Sequence, residues 1–396
     1  MVASTTLCGL VQGTDTVMDH KLRALQVYRT YFPDPPGGLQ EAVRQIALAS
    51  SAFGIETRIF TLSPNPMPAV ISRPEGEVSR ARSWAAPASC DLGGINAFRQ
   101  FARSCAQSDV VHYQFPWPFE DVLHAVVRPR NPAVMTYQSD VVRQKFLGVV
   151  YAPLMWRTLR SMRVIVATSP AYARTSPVLS HPSIRDRVRV IPNGIVEESY
   201  SVDADEGIFR RIGMESSEAY FLFIGVLRYY KGLHTLIQAA RRVDARIVIA
   251  GSGPEEPALK ELLQQTGGRN VIFAGQISDA EKVALLKSCL ALVLPSHLRS
   301  EAFGMVLVEA AMFGKPQISC EIGTGTSFVN AHGETGIVVP PEAPDDLALA
   351  MNRLLRETAT AETMGLAARA RYQRMFSGEA LGKSYSDLYR DVVGRS

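Results

Sequence analysis

Short apolar runs alternate with helix-length amphipathic stretches along almost the whole chain, and they do so in two separate series. The strand-like runs are residues 24–31, 56–61, 109–113, 133–137, 164–168 and 188–191 in the first series, and 220–225, 246–251, 270–275, 291–295, 317–320 and 336–339 in the second. Helical patterns lie between most of them, for example at residues 39–53, 233–243, 257–265 and 279–288. Apolar strands that alternate with helices are typical of parallel sheets covered on both faces. The sequence therefore predicts an α/β protein of two doubly wound, Rossmann-like domains that face each other across a cleft.

The boundary between the two series is marked by Pro192-Asn193-Gly194, because proline and an Asn-Gly pair interrupt regular structure. We expect an N-terminal domain at residues 21–193 and a C-terminal domain at residues 194–376. Residues 1–20 are predicted to be a flexible extension. The amphipathic residues 377–396 are predicted as a final helix that can pack back onto the first domain.

Composition describes an ordinary globular chain of 396 residues, with 46% hydrophobic and 20% charged residues. No apolar run reaches the length that a membrane span requires, and the first twenty residues lack the pattern of a secretory signal. The five cysteines are scattered, which fits free thiols in a reducing compartment and neither a zinc site nor a disulfide framework. We therefore expect a cytoplasmic protein.

The formal net charge of +4 hides an asymmetry between the two halves. Residues 1–193 contain 21 Lys and Arg against 13 Asp and Glu, whereas the remaining residues contain 21 against 25. A basic N-terminal domain favours peripheral contact with anionic lipid at the inner face of the cytoplasmic membrane, or with a phosphate-bearing acceptor. The alternative is ordinary solvated surface. Nucleic acid is not an expected partner, because no basic run is interleaved with aromatic residues.

The most informative segment is SEAFGMVLVEA at residues 300–310, where Glu301 and Glu309 stand eight positions apart across Gly304. A helix that begins near Gly304 leaves Glu301 in the preceding loop and places Glu309 further along the helix. Free N–H groups at residues 303–306 and the helix dipole would then form a site for a diphosphate. The alternative for each carboxylate is an ordinary loop or helix-face acid, but Glu309 lies in an apolar run where a charge needs a partner.

The pattern Glu-x-Phe-Gly-x-x-x-x-Glu resembles the signature of the family 4 glycosyltransferases, retaining enzymes with the GT-B fold. Other segments match the family pattern from about residue 25 to the C-terminus: Pro36-Gly37-Gly38, Pro192-Asn193-Gly194, GVLRYYKG at 225–232, GSGP at 251–254 and FAG at 273–275. Within the family, residues 111–116 and 137–145 look most like bacterial mannosyl- or rhamnosyltransferases that build the O-chains of lipopolysaccharide.

The resemblance implies roles for individual residues. Glu301 would hold hydroxyls of the donor sugar and Glu309 those of the ribose. Arg228 and Lys231 would stabilise the charge on the departing nucleotide, with Arg228 taking the role of the family's usual arginine, which is Val226 here. Glu301, Arg228 and Lys231 are therefore the predicted catalytic residues. The other expected donor contacts are Gly37, Gly38, Gln138, Ile277, Ala302, Phe303, Gly304 and Met305.

Two glutamines depart from the pattern. Gln138 and Gln114 occupy positions at which relatives often have histidine, and an amide donates a hydrogen bond but does not titrate. His112 ends a buried run, where a structural role is more common than a catalytic one. The Asp-x-Asp at residues 203–205 lies in a polar linker and not at a strand end, so we expect no metal site.

The predicted function is a retaining, metal-independent glycosyltransferase that needs no cofactor beyond its nucleotide-sugar donor. By resemblance, it would move a hexose, mannose or D-rhamnose from a GDP-sugar, onto a polyprenyl-linked glycan in polysaccharide or lipopolysaccharide synthesis. The alternatives are a sugar-nucleotide-binding paralogue without catalysis, motivated by the two glutamines, and an epimerase on the same fold. A phosphorylase is disfavoured, because it would require a pyridoxal phosphate lysine and a longer chain.

Overall fold

A computed structural model describes residues 21–34, 37–86, 90–140, 145–200 and 202–395 of the chain. The extension expected at residues 1–20 lies outside the described residues. Strands in the described part of the chain form two sheets, one on each side of the Pro192-Asn193-Gly194 segment, as the two series of apolar runs predict.

The first sheet is mostly parallel and has the order β3-β4-β2-β1-β6-β7-β8-β9, with β5 paired to β4. Its strands are β1 Leu22–Val27, β2 Ile55–Ser63, β3 Val70–Arg73, β4 Gly76–Ala85, β5 Leu92–Gly93, β6 Val110–Phe115, β7 Ala133–Tyr137, β8 Val164–Ala167 and β9 Val188–Val190. One edge of this sheet is not parallel, since β3 and β5 pair antiparallel with β4. The strand β4 lies between β3 and β2 and is partly exposed; its sequence, GEVSRARSWA, interleaves charged and apolar residues, so it presents no apolar run.

The second sheet is parallel throughout and has the order β12-β11-β10-β13-β14-β15. Its strands are β10 Tyr220–Ile224, β11 Arg246–Ala250, β12 Val271–Gly275, β13 Ala291–Leu294, β14 Gln317–Cys320 and β15 Gly336–Val339. Each agrees with its predicted run to within one residue at either end. These strands are short and almost wholly buried, which is why apolar runs locate them well.

Helices cover both sheets. They are α1 Gly38–Ser51, α2 Ile95–Ala106, α3 Pro118–Val127, α4 Lys145–Ser161, α5 Pro170–Thr175, α6 Gly207–Arg211, α7 Leu233–Ala240, α8 Glu256–Thr266, α9 Asp279–Ser288, α10 Met305–Met312, α11 Thr326–Val329, α12 Pro344–Arg356, α13 Thr358–Met375 and α14 Gly378–Gly394. The helix α9 begins with a capping box, in which Ser278 and Glu281 each bond the other's backbone N–H.

The C-terminal helix α14 packs on the first sheet and not on the second. Its Tyr385 and Tyr389 are fully buried in a cluster with residues of β1, β6, β7 and β8. The backbone of α14 also lies against α1, since a Cβ added to Gly382 would come within 2.2 Å of the Ala49 carbonyl oxygen. The chain therefore crosses between the domains twice, once after β9 and once after α13.

Candidate functional site

A lysine–glutamate pair lies at the carboxyl edge of the second sheet. Lys231 belongs to a turn after β10 and Glu301 to the loop after β13, and the Lys231 ammonium donates a hydrogen bond to the Glu301 carboxylate. Gly232 brings the two loops together, because its φ is +66° and a Cβ there would lie 2.0 Å from the Pro295 carbonyl oxygen. The Ser296 hydroxyl donates to the same carboxylate oxygen of Glu301 at 3.4 Å.

The electrostatics of this pair are those of a partly buried ion pair. Side-chain exposure is 13% for Lys231 and 11% for Glu301. Burial lowers the pKa of Lys231, but the charge of Glu301 and its hydrogen bond outweigh burial and leave that pKa above the usual value for lysine. The exposed Arg228 stands close enough to Lys231 for its charge to oppose this rise in pKa. Two of the predicted catalytic residues are thus in direct contact and the third is beside them.

The helix α10 begins directly after this pair. Gly304 is its N-cap and adopts φ +82°, a left-handed conformation that favours glycine, and Met305 is its first residue. The first N–H groups of a helix lack partners within the helix, and the helix dipole adds partial positive charge there. This end of α10 is therefore suited to a phosphate group, as predicted from the sequence.

The side chains of Ala302 and Phe303 point elsewhere. Ala302 is buried against the core cluster of the first domain, and Phe303 packs edge-to-face on Phe376 with ring centroids 6.2 Å apart. Both residues were predicted as donor contacts, and in this arrangement only their backbone atoms remain for that role. Ile277, another predicted apolar contact, is half-buried against the core of the second domain.

Glu309 lies on α10 and is held by two groups that the motif does not contain. The Tyr200 hydroxyl donates to Glu309 Oε1 at 2.5 Å, and Lys282 Nζ lies 3.4 Å from the same oxygen. The Lys282 ammonium also stands 4.6 Å from the centre of the Tyr200 ring. Burial lowers the pKa of Lys282, but the charge of Glu309 more than compensates and raises it. One oxygen of the Glu309 carboxylate is thus fixed by the protein.

The corresponding edge of the first sheet consists of neutral amides. Gln138 follows β7; its Nε2 donates to Gln114 Oε1 at 3.2 Å, and its Oε1 accepts from Asn193 Nδ2 at 3.1 Å. Gln114 Nε2 in turn donates to Gln26 Oε1 at 3.0 Å. We call these four residues the amide ladder. Gln138 therefore has a fixed orientation and one amide N–H left for a ligand.

His112 lies behind the ladder and is fully buried. Its Nδ1 is 2.7 Å from the Tyr389 hydroxyl and its Nε2 is 2.7 Å from Thr136 Oγ1. Burial lowers the pKa of His112 to about 3, so the ring is neutral near pH 7. These contacts tie the centre of the first sheet to α14, which is a structural role.

Gly37 and Gly38 stand at the amino end of α1, on the same sheet edge as Gln138. Both are exposed, and a Cβ added to Gly38 would have no neighbour within 4 Å. This part of the loop is thus open to a ligand. Pro36, which completes the glycine-rich motif, lies outside the described residues.

The sequence alone does not predict Tyr200 and Lys282 as partners of Glu309. Both lie far from Glu309 along the chain, Tyr200 in a polar linker and Lys282 on an amphipathic helix. The apolar run around Glu309 does indicate that its charge needs a partner. It does not indicate which residue supplies it, because the contact depends on how the linker returns across α10.

Two family models match the chain. The model described as glycosyltransferase family 4 matches residues 36–199, and that described as glycosyl transferases group 1 matches residues 205–371. Among curated relatives, D-rhamnosyltransferase WbpZ of Pseudomonas aeruginosa is 44% identical over 90% of this chain and 92% of its own length. The O-antigen chain mannosyltransferase C of Escherichia coli is 39% identical over 94% of this chain and 99% of its own.

A solved structure shows the same fold. Sucrose-phosphate synthase of Thermosynechococcus elongatus superposes with a TM-score of 0.77 over 95% of this chain and 100% of its own, at 23% identity. The match covers both domains, so the two Rossmann-like domains have the relative arrangement of a known two-domain architecture.

Proposed function

The chain belongs to the glycosyl transferases group 1 with a family 4 N-terminal domain, and from its site we propose that it moves mannose or D-rhamnose from a GDP-sugar onto a lipid-linked glycan in lipopolysaccharide synthesis. The family, the GT-B fold and the glycosyltransferase activity predicted from the sequence are confirmed. The sugar and the pathway are proposed because two extensive matches are a D-rhamnosyltransferase and an O-antigen mannosyltransferase. D-Rhamnose is 6-deoxymannose, so one pocket shape suits both sugars.

The observation that carries the proposal is the Lys231–Glu301 pair at the amino end of α10. A nucleotide-sugar has a diphosphate that gains charge as the sugar leaves, next to a sugar rich in hydroxyls. Lys231, Arg228 and the helix N-terminus offer positive charge to the diphosphate. Glu301 offers an acceptor to the sugar hydroxyls, and Glu309 offers one to the ribose further along the same helix.

We propose that transfer proceeds with retention by attack on the face from which the nucleotide leaves. The acceptor oxygen bonds to the anomeric carbon as the carbon–oxygen bond to the diphosphate breaks, and a diphosphate oxygen takes the proton of the acceptor hydroxyl. Glu301 is engaged by Lys231 and Ser296. A carboxylate with such partners is better suited to holding sugar hydroxyls than to acting as a nucleophile. Because fixed cations stand at the diphosphate site, no metal ion is required by this mechanism.

The proposed acceptor is a polyprenyl-linked glycan at the inner face of the cytoplasmic membrane. The excess of cations in residues 1–193 supports a peripheral contact of the first domain with anionic lipid. Among the residues that the structure describes, no helix combines the length and the apolar character of a membrane span.

The test is a panel of GDP- and UDP-sugars incubated with the pure protein, a lipid-linked acceptor glycan and EDTA. We expect release of GDP from one GDP-sugar, and a product whose anomeric configuration by NMR equals that of the donor. Lys231→Ala should abolish release. Lys260→Ala is the matched control, because Lys260 is exposed on α8 and forms an ion pair with Glu256 one turn away.

Four results would each contradict a separate part of the proposal. Turnover of UDP-sugars with GDP-sugars ignored would refute the donor. Loss of activity with EDTA would refute metal independence. Interconversion of the free nucleotide-sugars without acceptor would point to the epimerase alternative. Tight GDP binding without transfer or hydrolysis would point to a binding paralogue.

A further inference from the structure

One guanidinium joins the two domains beside the candidate site. Arg299 lies in the loop between β13 and α10, two residues before Glu301. Its Nη2 donates to Asp140 Oδ2 at 3.3 Å and its Nη1 to Thr175 Oγ1 at 3.0 Å, both in the first domain. Nη1 also donates to the carbonyl oxygen of Gly323 at 2.8 Å, within the second domain. We call Arg299, Asp140, Thr175 and Gly323 the clasp.

The first-domain half of the clasp is held in place by its own neighbours. Asp140 Oδ1 accepts from Ser176 Oγ at 2.7 Å and from the Tyr137 hydroxyl at 3.2 Å. The backbone N–H of Asp140 donates to the Tyr172 hydroxyl at 2.6 Å. These bonds fix the carboxylate with Oδ2 directed at Arg299, whose guanidinium also lies 5.4 Å from the centre of the Tyr172 ring.

A second direct bond crosses the cleft at the same point. The Thr175 hydroxyl donates to the Gly323 carbonyl oxygen at 2.6 Å, so the loop after β14 touches α5. Arg299 bonds to both of these residues as well. A planar guanidinium with a fixed fork of donors is suited to satisfying three acceptors at once, which a point charge is not.

The clasp is adjacent to the groups that would hold the sugar. Asp140 follows Gln138 by two residues, and Arg299 precedes Glu301 by two residues. Contact between Asp140 and Arg299 therefore sets the distance between the amide ladder of the first domain and the ion pair of the second. Separation of the domains by a few ångströms would break the clasp and move Gln138 away from Glu301.

We propose that Arg299 and Asp140 are a positioning pair that holds the domains closed over the donor sugar, which rests on the proposed transferase function. The pair does not touch the reacting atoms. It acts by excluding water and by placing Gln138 and Glu301 on opposite sides of one sugar. Binding of the nucleotide, by contrast, depends on Lys231 and α10 within the second domain alone.

Arg299→Gln tests this division of roles. We expect kcat to fall at least tenfold, while the Kd of GDP measured by calorimetry stays within about twofold of the wild-type value. The kcat of Arg299→Lys should lie between those of the wild type and Arg299→Gln, because lysine keeps the charge but not the planar fork of donors. Adding Asp140→Asn to Arg299→Gln should change kcat little further, since the two substitutions remove the same interaction.

Arg189→Gln is the matched control. Arg189 forms a comparable long-range ion pair, 2.6 Å from Asp391 of α14, on the side of the first domain away from the clasp. We expect its kcat and GDP affinity to equal those of the wild type. The proposal is overturned if Arg299→Gln keeps kcat within threefold of the wild type. It is also overturned if the loss of kcat is matched by equal losses of GDP affinity and thermal stability, because that would indicate a general structural role.

A measurement without substrate tests the clasp independently of the proposed transferase function. The radius of gyration from small-angle X-ray scattering should increase in Arg299→Gln and in Asp140→Asn, and stay constant in Arg189→Gln. If the wild type transfers no sugar but these radii differ as expected, the proposed function fails and the clasp stands. Equal radii in all four proteins would overturn the clasp, whatever the activity.

Discussion

The carboxyl edges of the two sheets face the same cleft but are built from different chemistry. The second-domain edge contains ion pairs, Lys231 with Glu301 and Lys282 with Glu309, close to the start of α10. The first-domain edge contains the neutral amide ladder around Gln138. Charges that are fixed in place suit a ligand with a diphosphate, and amides suit hydroxyl groups. The difference supports the proposal that the nucleotide binds to the second domain and that the sugar lies between Glu301 and Gln138.

The charged edge also explains why its residues tolerate burial. Each lysine is partly buried, and each retains its charge because a carboxylate stands beside it. In the first domain, the His112 ring contacts the hydroxyls of Tyr389 and Thr136, and burial leaves the ring neutral.

The largest expected effect is that of Glu301→Gln, which keeps the shape of the side chain and removes its charge. We expect kcat/KM to fall by about two to three orders of magnitude, the range seen when one group that stabilises a transition state is removed. Steady-state kinetics with the preferred donor measures it. A loss of less than threefold would show that the charged edge does not hold the reacting sugar.

Gln138 offers the matching substitution on the neutral edge. Gln138→Ala removes the free amide N–H and disturbs Gln114 and Asn193, so we expect kcat to fall about tenfold, close to the value of one hydrogen bond. Gln138→His should keep most of the activity, because an imidazole also donates a hydrogen bond. Greater activity in Gln138→Ala than in Gln138→His would show that this edge is not a donor of hydrogen bonds to the substrate.

Tyr200→Phe tests the support of Glu309. The Tyr200 hydroxyl fixes Glu309 Oε1 and leaves Oε2 for the ribose, so its removal should weaken GDP binding about threefold to tenfold. Calorimetry of GDP binding measures the change. Tighter binding in Tyr200→Phe would contradict this role and show that Tyr200 competes with the ribose for Glu309.

The smallest effect concerns stability. Glu120 is fully buried in the first turn of α3, and burial together with the neighbouring Asp121 raises its pKa well above the usual range. The folded protein therefore binds a proton that the unfolded chain releases, so this residue costs more stability as the pH rises above the pKa of the unfolded chain, about 4.3. Glu120→Gln cannot titrate.

We expect Glu120→Gln to stabilise the protein by about 1 kcal/mol at pH 8, with a smaller gain at pH 5. Urea unfolding at the two pH values measures the difference. An equal gain at both would show that the carboxyl of Glu120 does not titrate above pH 5 in the folded state.

What the sequence predicts well is local. Glu301, Gly304 and Glu309 lie within nine residues, so a helix that starts at the glycine fixes their relative positions. The strands of the second sheet are predicted to within a residue because they are apolar on both faces. By contrast, β4 lies next to the edge strand β3 and contains charged residues, so its sequence does not stand out as an apolar run.

What the sequence does not predict depends on contacts between distant segments. The partners of Glu309 lie in the linker and on α9, and Arg299 meets Asp140 only because the domains close. The burial of Phe303 against Phe376 likewise depends on the return of the chain after α13. Periodicity and motif spacing describe one segment at a time, so neither indicates such pairs.

The proposed binding of the nucleotide to the charged edge of the second domain is tested most directly by titrating GDP into three proteins by calorimetry: the wild type, Lys231→Ala and Gln138→Ala. We expect Lys231→Ala to weaken binding at least tenfold, because the diphosphate loses its fixed cation, and Gln138→Ala to leave it within about twofold. Equal losses in the two variants, or a greater loss in Gln138→Ala, would contradict the assignment of the nucleotide to the second domain.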